Sequence, residues 1–186
     1  LSRGLGDVYK RQPYIRLKVG VSIDGKIADE KKESKWITSK ESRNFVQELR
    51  AEVNGIITTS NTVISDNPKM NIRDNQVLKK TISQPALIIL DSKLRVPTKA
   101  NIFKTDRLII IVADIKYASS TPLRIYKDNV VIKYVKTKNS KINLKDIYAI
   151  AKTYHLDDLL VESGSIFSAT LLLSLIHISE PTRQQG

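Results

Sequence analysis

The chain of 186 residues contains no cysteine, one tryptophan and two histidines. The absence of cysteine excludes disulfides and zinc sites with sulfur ligands, and it fits a cytoplasmic protein. No apolar run reaches the roughly 18 residues that cross a bilayer, so we expect a soluble protein without a membrane partner. No block of lysine or arginine is interleaved with aromatic residues, which makes nucleic acid a poor candidate for a partner.

The chain is strongly basic, with 31 Lys and Arg against 19 Asp and Glu and a formal net charge of +12. Such a charge favours the binding of phosphorylated, anionic ligands. The alternative explanation is that most of the lysines reflect an AT-rich genome, since such genomes tend to encode lysine-rich proteins. Because 41% of the residues are hydrophobic, a chain of this length can form one domain with its own core.

The two ends of the chain differ from the rest. Residues 1–12 and 175–186 show neither a helical nor a strand period. Both resemble translated sequencing-adapter sequence, and the first lacks the apolar centre of a signal peptide. Ordinary disordered termini are the alternative interpretation. We expect a non-native segment at 1–12, one domain at 13–174 and a non-native tail at 175–186.

Between these ends, apolar strand patterns alternate with helical patterns. The runs 86–90 and 108–113 are apolar throughout, which is typical of strands that are buried on both faces. The alternation predicts an α/β fold with a largely parallel sheet and helices on its faces. The predicted strands are 14–21, 55–59, 86–90, 108–113, 130–135 and 159–161, and the predicted helices are about 38–53, 144–154 and 166–173.

The first predicted helix has an apolar face made of Phe45, Val46, Leu49 and Val53. Its start is indicated by Thr38, which lies three residues before a glutamate, the spacing of a capping box, and Ser39 is a competing cap. Residues 74–84 are polar and have no period, so they are predicted to be a loop.

Several short motifs follow one another in a fixed order along residues 13–173. They are KVGVSIDG from Lys18, SKWIT from Ser34, LRA from Leu49, TVISDNP from Thr62 with Arg73 after it, QPALIILDS from Gln84 and LVESG from Leu160. In this order they resemble the reductase domain of the bifunctional riboflavin-biosynthesis deaminase/reductase family. Each motif alone is a weak signal, whereas their common order is specific.

The resemblance implies a dihydrofolate-reductase-like, three-layer α/β fold with a largely parallel mixed central sheet, truncated at the C-terminus after the helix near Leu173. It implies NADPH-dependent reduction of the ribosyl group of 5-amino-6-(5-phosphoribosylamino)uracil, a small phosphorylated pyrimidine, to a ribityl group. The deaminase half would precede Pro13, and because its zinc site needs cysteine, we expect no metal here. We expect the intact protein to be a homo-oligomer.

The resemblance also implies a set of substrate contacts. Arg50 and Arg73 are the natural clamp for the phosphate, because a guanidinium group meets phosphate oxygens with two parallel hydrogen bonds. Position alone offers another explanation for Arg50, which lies at a helix end where a cation complements the helix dipole. Further substrate contacts are implied for Ser34, Met70 and Glu162.

The resemblance implies cofactor contacts along the run 164–170 and at several single positions elsewhere in the chain. The run 164–170 follows a strand and opens a helix, where free N–H groups bind phosphate. Trp36 would lie on the nicotinamide side, although a single tryptophan is also a common core residue, and Asp66 could instead cap a turn at the following Asn-Pro. The implied NADPH contacts are Gly20, Trp36, Thr62, Asp66, Ser92, Gly164, Ser165, Ile166, Phe167, Ser168, Ala169 and Thr170.

Lys18 is the candidate catalytic residue, because an ammonium group near the sugar could donate a proton or stabilise a developing negative oxygen. The alternative is a solvated lysine on a strand. Two residues depart from the family pattern, namely Asn61, where Gly or Ala is usual, and Ser163. The larger side chain of Asn61 puts close backbone approach of the cofactor in doubt.

Three other functions compete with this one. The first is another reductase of the same fold, such as one acting on folate, which has no need for two arginines that hold a sugar phosphate. The second is a basic module that binds nucleic acid without catalysis, which would show a steep salt dependence. The third is a truncated and inactive fragment, since a parallel sheet that lacks its last strands exposes an edge prone to aggregation.

Overall fold

The computed structural model of the chain describes residues 12–20, 40–119 and 126–179. Its strands are β1 (Tyr14–Lys18), β2 (Gly55–Thr59), β3 (Ala86–Leu90), β4 (Ile109–Asp114), β5 (Val130–Val135) and β6 (Asp158–Glu162). Its helices are α1 (Lys40–Ala51), α2 (Ser60–Asp66), α3 (Asn75–Leu78), α4 (Leu144–Thr153) and α5 (Ser165–Ser179), with short 3-10 turns at Asn101–Lys104 and Ile115–Tyr117.

The six strands form one sheet in the order β1-β6-β2-β3-β4-β5. Every pairing between them is parallel, so the sheet is parallel throughout the described residues rather than mixed. This confirms the predicted α/β class. Because parallel strands end at the same edge of a sheet, β1, β6, β2 and β3 bring their carboxyl ends together there.

The core has two apolar layers, one on each face of the sheet. Leu87 and Ile89 face a cluster that includes Val63 of α2 and is packed against Leu49 of α1. Ile88, the residue between them, faces the cluster formed with α4 and α5. Successive side chains of a strand point to opposite faces, which explains why the central strands are apolar at every position.

The final helix is longer than predicted. α5 continues to Ser179, although a helix ending at Leu173 was expected and the segment from residue 175 showed no helical period. Leu171 packs in the core, whereas Leu172 and Leu173 are exposed. In the described residues, no helix has both the length and the apolar character that crossing a bilayer requires.

Two further features, an additional helical turn and the exposure of Phe45, differ from the predictions. α3 is a single turn within the segment that was predicted to be a loop, and it begins where the Asp74 side chain accepts hydrogen bonds from the backbone N–H groups of Gln76 and Val77. Phe45 was expected on the apolar face of α1, but 57% of it is exposed. The predicted cap Thr38 lies outside the described residues.

Candidate active site

A cleft of about 760 Å³ lies at the carboxyl edge of the sheet. Its walls come from the ends of β1, β6, β2 and β3, from α2 and the start of α5, from Arg50 in the last turn of α1 and from the segment before α4. Most of the residues predicted for the site lie in these walls, so one cleft gathers them. They are Lys18, Gly20, Arg50, Thr62, Asp66, Met70, Ser92, Glu162, Gly164, Ser165, Ile166, Phe167 and Thr170.

A second cleft borders the first on the α1 side of the sheet and is lined by Arg73. Lys18, Arg50 and Glu162 line both clefts. Lys18 and Glu162 are direct partners in the register of β1 and β6, so their side chains lie on the same face. The two predicted phosphate-binding arginines therefore border a shared space.

Four predicted site residues are not placed in these clefts. Ser168 is buried, and its hydroxyl lies 3.2 Å from the Ser163 hydroxyl within hydrogen-bonding distance. Ala169 is exposed on α5 and lines neither cleft. Ser34 and Trp36 lie outside the described residues.

Arg50 and Glu162 form a buried ion pair between α1 and the end of β6. The Arg50 Nε and Nη2 groups donate to the two carboxylate oxygens over 2.7 and 2.9 Å. The remaining nitrogen, Nη1, donates to the Asn71 carbonyl over 2.9 Å. A role limited to the dipole of α1 does not account for this geometry, because the guanidinium group is bound to β6. One N–H of each terminal nitrogen remains for a ligand.

The residues after the second strand–helix unit form a tightly bound segment, which we name the 69–73 loop. Arg107 donates to the carbonyl of Met70 over 2.6 Å and to that of Lys69 over 3.0 Å. With the bond from Arg50 to Asn71, two arginines bind three consecutive carbonyls. Met70 itself is buried and has a left-handed backbone, with φ at 48°.

The N–H groups of the same loop are bound by two glutamine side chains. Gln84 accepts from the Ile72 N–H over 2.8 Å and donates back to the Ile72 carbonyl over 2.9 Å. Gln47, which is buried, accepts from the Arg73 N–H over 2.7 Å. The loop thus presents Met70 and Arg73 on a backbone that core side chains hold in place.

Arg107 lies close enough to the ion pair to be affected by it. Burial, followed by the positive charge of Arg50, lowers the pKa of Arg107 to about 10, while Glu162 acts in the opposite direction. Arg107 therefore remains charged at neutral pH. Two positive groups and one negative group leave this cluster with a net positive charge, which suits a phosphate.

The turn between β6 and α5 forms a second wall of the cleft. The Gly164 N–H donates to the Thr62 hydroxyl over 3.2 Å, and Thr62 is in turn 3.0 Å from the Thr59 hydroxyl. A Cβ atom built on Gly164 would meet no atom within 4 Å, so the backbone is open to close approach by a ligand. Free N–H groups at the start of a helix such as α5 can bind an anion.

The remaining residues of this wall have mixed roles. Asp66 ends α2, is exposed and accepts a hydrogen bond from Ser65, so the expected turn cap is not its observed contact. Asn61 accepts from Arg95 over 2.6 Å, which holds its side chain at the rim of the cleft. Ser92 lines the cleft, whereas Asp91 before it is buried and accepts from the Val96 N–H.

Sequence reasoning missed three residues that shape the site, namely Gln47, Gln84 and Arg107. Gln84 lies in a recognised motif but was given no role, and Gln47 and Arg107 carry no local pattern. No three His, Asp or Glu side chains gather as metal ligands within residues 12–20, 40–119 and 126–179.

Comparison with known proteins gives one family. The family model described as RibD C-terminal domain matches residues 13–175. The riboflavin biosynthesis protein RibD of Buchnera aphidicola subsp. Baizongia pistaciae is 33% identical over 182 residues, which cover 89% of this chain and 46% of that protein. The 5-amino-6-(5-phosphoribosylamino)uracil reductase of Buchnera aphidicola subsp. Acyrthosiphon pisum is 34% identical, with 77% of this chain and 71% of that protein covered.

Solved structures give the same result. Form 2 of Acinetobacter baumannii RibD superimposes with a TM-score of 0.73 at 28% identity, covering 92% of this chain and 45% of that one. The deaminase/reductase of Thermotoga maritima gives 0.71 at 26% identity, covering 90% and 43%. These matches confirm the resemblance and the dihydrofolate-reductase-like fold. The chain spans less than half the length of these RibD proteins.

Proposed function

Because the chain belongs to the RibD C-terminal domain family, we propose that it reduces 5-amino-6-(5-phosphoribosylamino)uracil to the ribityl product with NADPH. A relative that carries the name of this reductase is matched over 71% of its length. We take residues 13–174 as the reductase domain, in line with the range of the family match.

The observation that carries this proposal is the division of the cleft into two unlike walls. One wall holds Arg50, Glu162 and the 69–73 loop, which together are cationic and rich in hydrogen-bond donors. The other wall is the open turn at Gly164 and the start of α5. We assign the sugar phosphate and pyrimidine to the first wall and the cofactor phosphates to the second.

In this arrangement the protein supplies geometry and the cofactor supplies a hydride from C4 of its nicotinamide ring. Arg50 and Arg73 would hold the phosphate, and Thr62 and Gly164 would orient the cofactor. Holding two reactants in contact can lower a barrier by about 7–11 kcal/mol in favourable cases.

Lys18 is the candidate proton donor. It ends β1 opposite Glu162 and lines both clefts, which supports a position beside the bound substrate. We propose that it donates the proton needed when the sugar ring opens.

The test is the oxidation of NADPH by the chain with this substrate, compared with dihydrofolate. We expect turnover of the ribosylaminouracil phosphate alone. Turnover of dihydrofolate only would favour another reductase of the same fold. Absence of NADPH binding, together with DNA binding that falls steeply with salt, would favour a nucleic-acid module instead.

A further inference from the structure

Arg107 has no role in the function proposed above, yet its surroundings are unusual. It precedes β4, is only 6% exposed, and its guanidinium group meets carbonyls rather than a carboxylate. A third, longer contact of 3.4 Å reaches the Pro85 carbonyl. Its Nε atom is buried without a hydrogen-bond partner in the described part of the chain.

A buried guanidinium group without its own carboxylate is costly. Removing such a charge from water costs several kcal/mol, and a neutral donor could bind the same carbonyls for less. The charges that act on it are those of Arg50 and Glu162, and Arg50 already occupies both oxygens of that carboxylate. The positive charge of Arg107 is therefore not neutralised within this cluster.

We propose that Arg107 is a positioning and specificity-determining residue for the phosphorylated end of the substrate. It holds the 69–73 loop by two successive carbonyls, and its charge gives the cluster of Arg50, Arg107 and Glu162 a net positive charge that attracts a phosphate dianion. The inference rests on the proposed function, because it requires Arg50 and the loop to face the sugar phosphate. It adds a residue that lies behind the ligand-contacting side chains.

Two substitutions separate the charge of Arg107 from its hydrogen bonds. Arg107→Lys keeps the charge but loses the planar fork, whereas Arg107→Gln keeps a donor for one carbonyl and loses the charge. Arg95→Gln is the matched control, because Arg95 binds Ser60 and Asn61 on the other side of the cleft. Thermal unfolding of each variant shows whether it is folded.

The experiment measures the dissociation constants of ribose 5-phosphate and of NADPH for the full chain and its variants by calorimetry. We expect Arg107→Gln to weaken ribose 5-phosphate binding by about tenfold or more, as loss of a charged partner does. Arg107→Lys should stay within about threefold of the unmodified chain. NADPH binding should change far less in both, and Arg95→Gln should leave ribose 5-phosphate binding unchanged.

Several outcomes would overturn the inference. They are wild-type affinity in a folded Arg107→Gln, equal weakening of both ligands, and a tenfold loss in Arg107→Lys. If Arg107→Gln does not fold, the lysine variant decides alone. Failure of the proposed function can be distinguished from failure of this inference. A chain that binds ribose 5-phosphate but does not turn over the substrate contradicts the proposed function, and its variants still test the role of Arg107. A chain that binds no ribose 5-phosphate refutes the inference whatever its activity.

Discussion

At the scale of single residues, the buried pairing of Arg50 with Glu162 is expected to affect both stability and ligand binding. Less than a tenth of either side chain is exposed, so each depends on the other for its hydrogen bonds. Removing one partner of a buried pair costs about 3–5 kcal/mol, because the other charge is left unpaired. A phosphate that approaches Arg50 therefore meets a guanidinium group that is already oriented by the protein.

The pairing predicts strong coupling between the two positions. We expect Arg50→Met and Glu162→Gln each to lower the free energy of unfolding, and the double variant to lose less than the sum, with a coupling of about 1–3 kcal/mol. Urea unfolding of the four proteins measures it. Additive losses would show that the pair is not formed in solution. The double variant should also bind ribose 5-phosphate more weakly while keeping its affinity for NADPH.

Asp114, at the end of β4, gives a prediction that depends on pH. A hydrogen bond from the Thr137 hydroxyl and then one from the Lys116 backbone N–H lower the pKa of Asp114 below its ordinary value of 3.8. A carboxylate whose pKa is lowered by folding stabilises the fold at pH values above its ordinary pKa. This contribution to the free energy of unfolding is lost as the pH falls through the pKa of the folded state.

We expect Thr137→Val to raise the pKa of Asp114 toward 3.8, because the hydroxyl donor is lost. Thr137→Ser, which keeps a hydroxyl, is the control. NMR titration of the carboxyl carbon measures the pKa, and urea unfolding should show the stability difference shrinking below pH 3.8. An unchanged pKa in Thr137→Val would mean that the hydroxyl does not bind the carboxylate.

The residues that the sequence identified differ from those it missed in one physical respect. Arg50 and Glu162 belong to local motifs, and each was expected to contact the substrate. Their contact with each other joins positions 112 residues apart and exists only because β6 lies beside β1 and β2. Arg107 has no local motif, and the carbonyls it binds become neighbours only after folding. Side chains that bind distant backbone groups leave no periodic signal.

At the scale of elements, the turn from β6 into α5 is the proposed position of the cofactor phosphates. Gly164 has open space at its Cβ position, and its N–H is bound to Thr62 of α2. We expect Gly164→Leu to weaken NADPH binding by about tenfold or more, because a bulky side chain would occupy the approach to the helix start.

The same substitution should leave the fold intact, since no neighbouring atom lies where the new Cβ would be. Gly164→Ala is the graded control and should have a small effect on binding. Calorimetric titration with NADPH gives the affinity, and thermal unfolding gives the stability. Unchanged affinity in Gly164→Leu would place the cofactor phosphates elsewhere. Loss of stability would instead point to a tightly packed turn.

The elements themselves were largely predictable. The strand patterns gave all six strands within a few residues. Those of β3 and β4 are continuous apolar runs, because a strand buried on both faces needs apolar residues throughout. α3 was missed because one helical turn shows no period, although Asp74 is a cap residue that could have indicated it. α5 was ended too early because its continuation was grouped with the non-periodic tail.

At the scale of the whole molecule, the strand order is what creates the site. β6, which is last in sequence among the strands, lies between β1 and β2 and thereby brings Glu162 beside Lys18 and within reach of Arg50. Alternating strands and helices predict a parallel sheet, but they do not specify which strands are neighbours. That order follows from pairings across more than a hundred residues, which local patterns do not encode.

The net charge of +12 acts on top of this local geometry. Exposed lysines attract a phosphorylated ligand through water, where salt screens their field within about 10 Å at 0.1 M. The guanidinium groups of Arg50 and Arg107 are buried, and salt screens them much less. The two sources of attraction should therefore respond differently to ionic strength.

We expect added salt to slow the association of ribose 5-phosphate and to leave its dissociation rate nearly unchanged, because exposed charge governs encounter and buried contacts govern release. Rapid-mixing measurements over a range of salt concentrations separate the two rates. A dissociation rate that rises steeply with salt would mean that exposed lysines, rather than the buried arginines, hold the phosphate. In that case the walls of the cleft would have to be assigned anew, since their distinction depends on the buried charge of one wall.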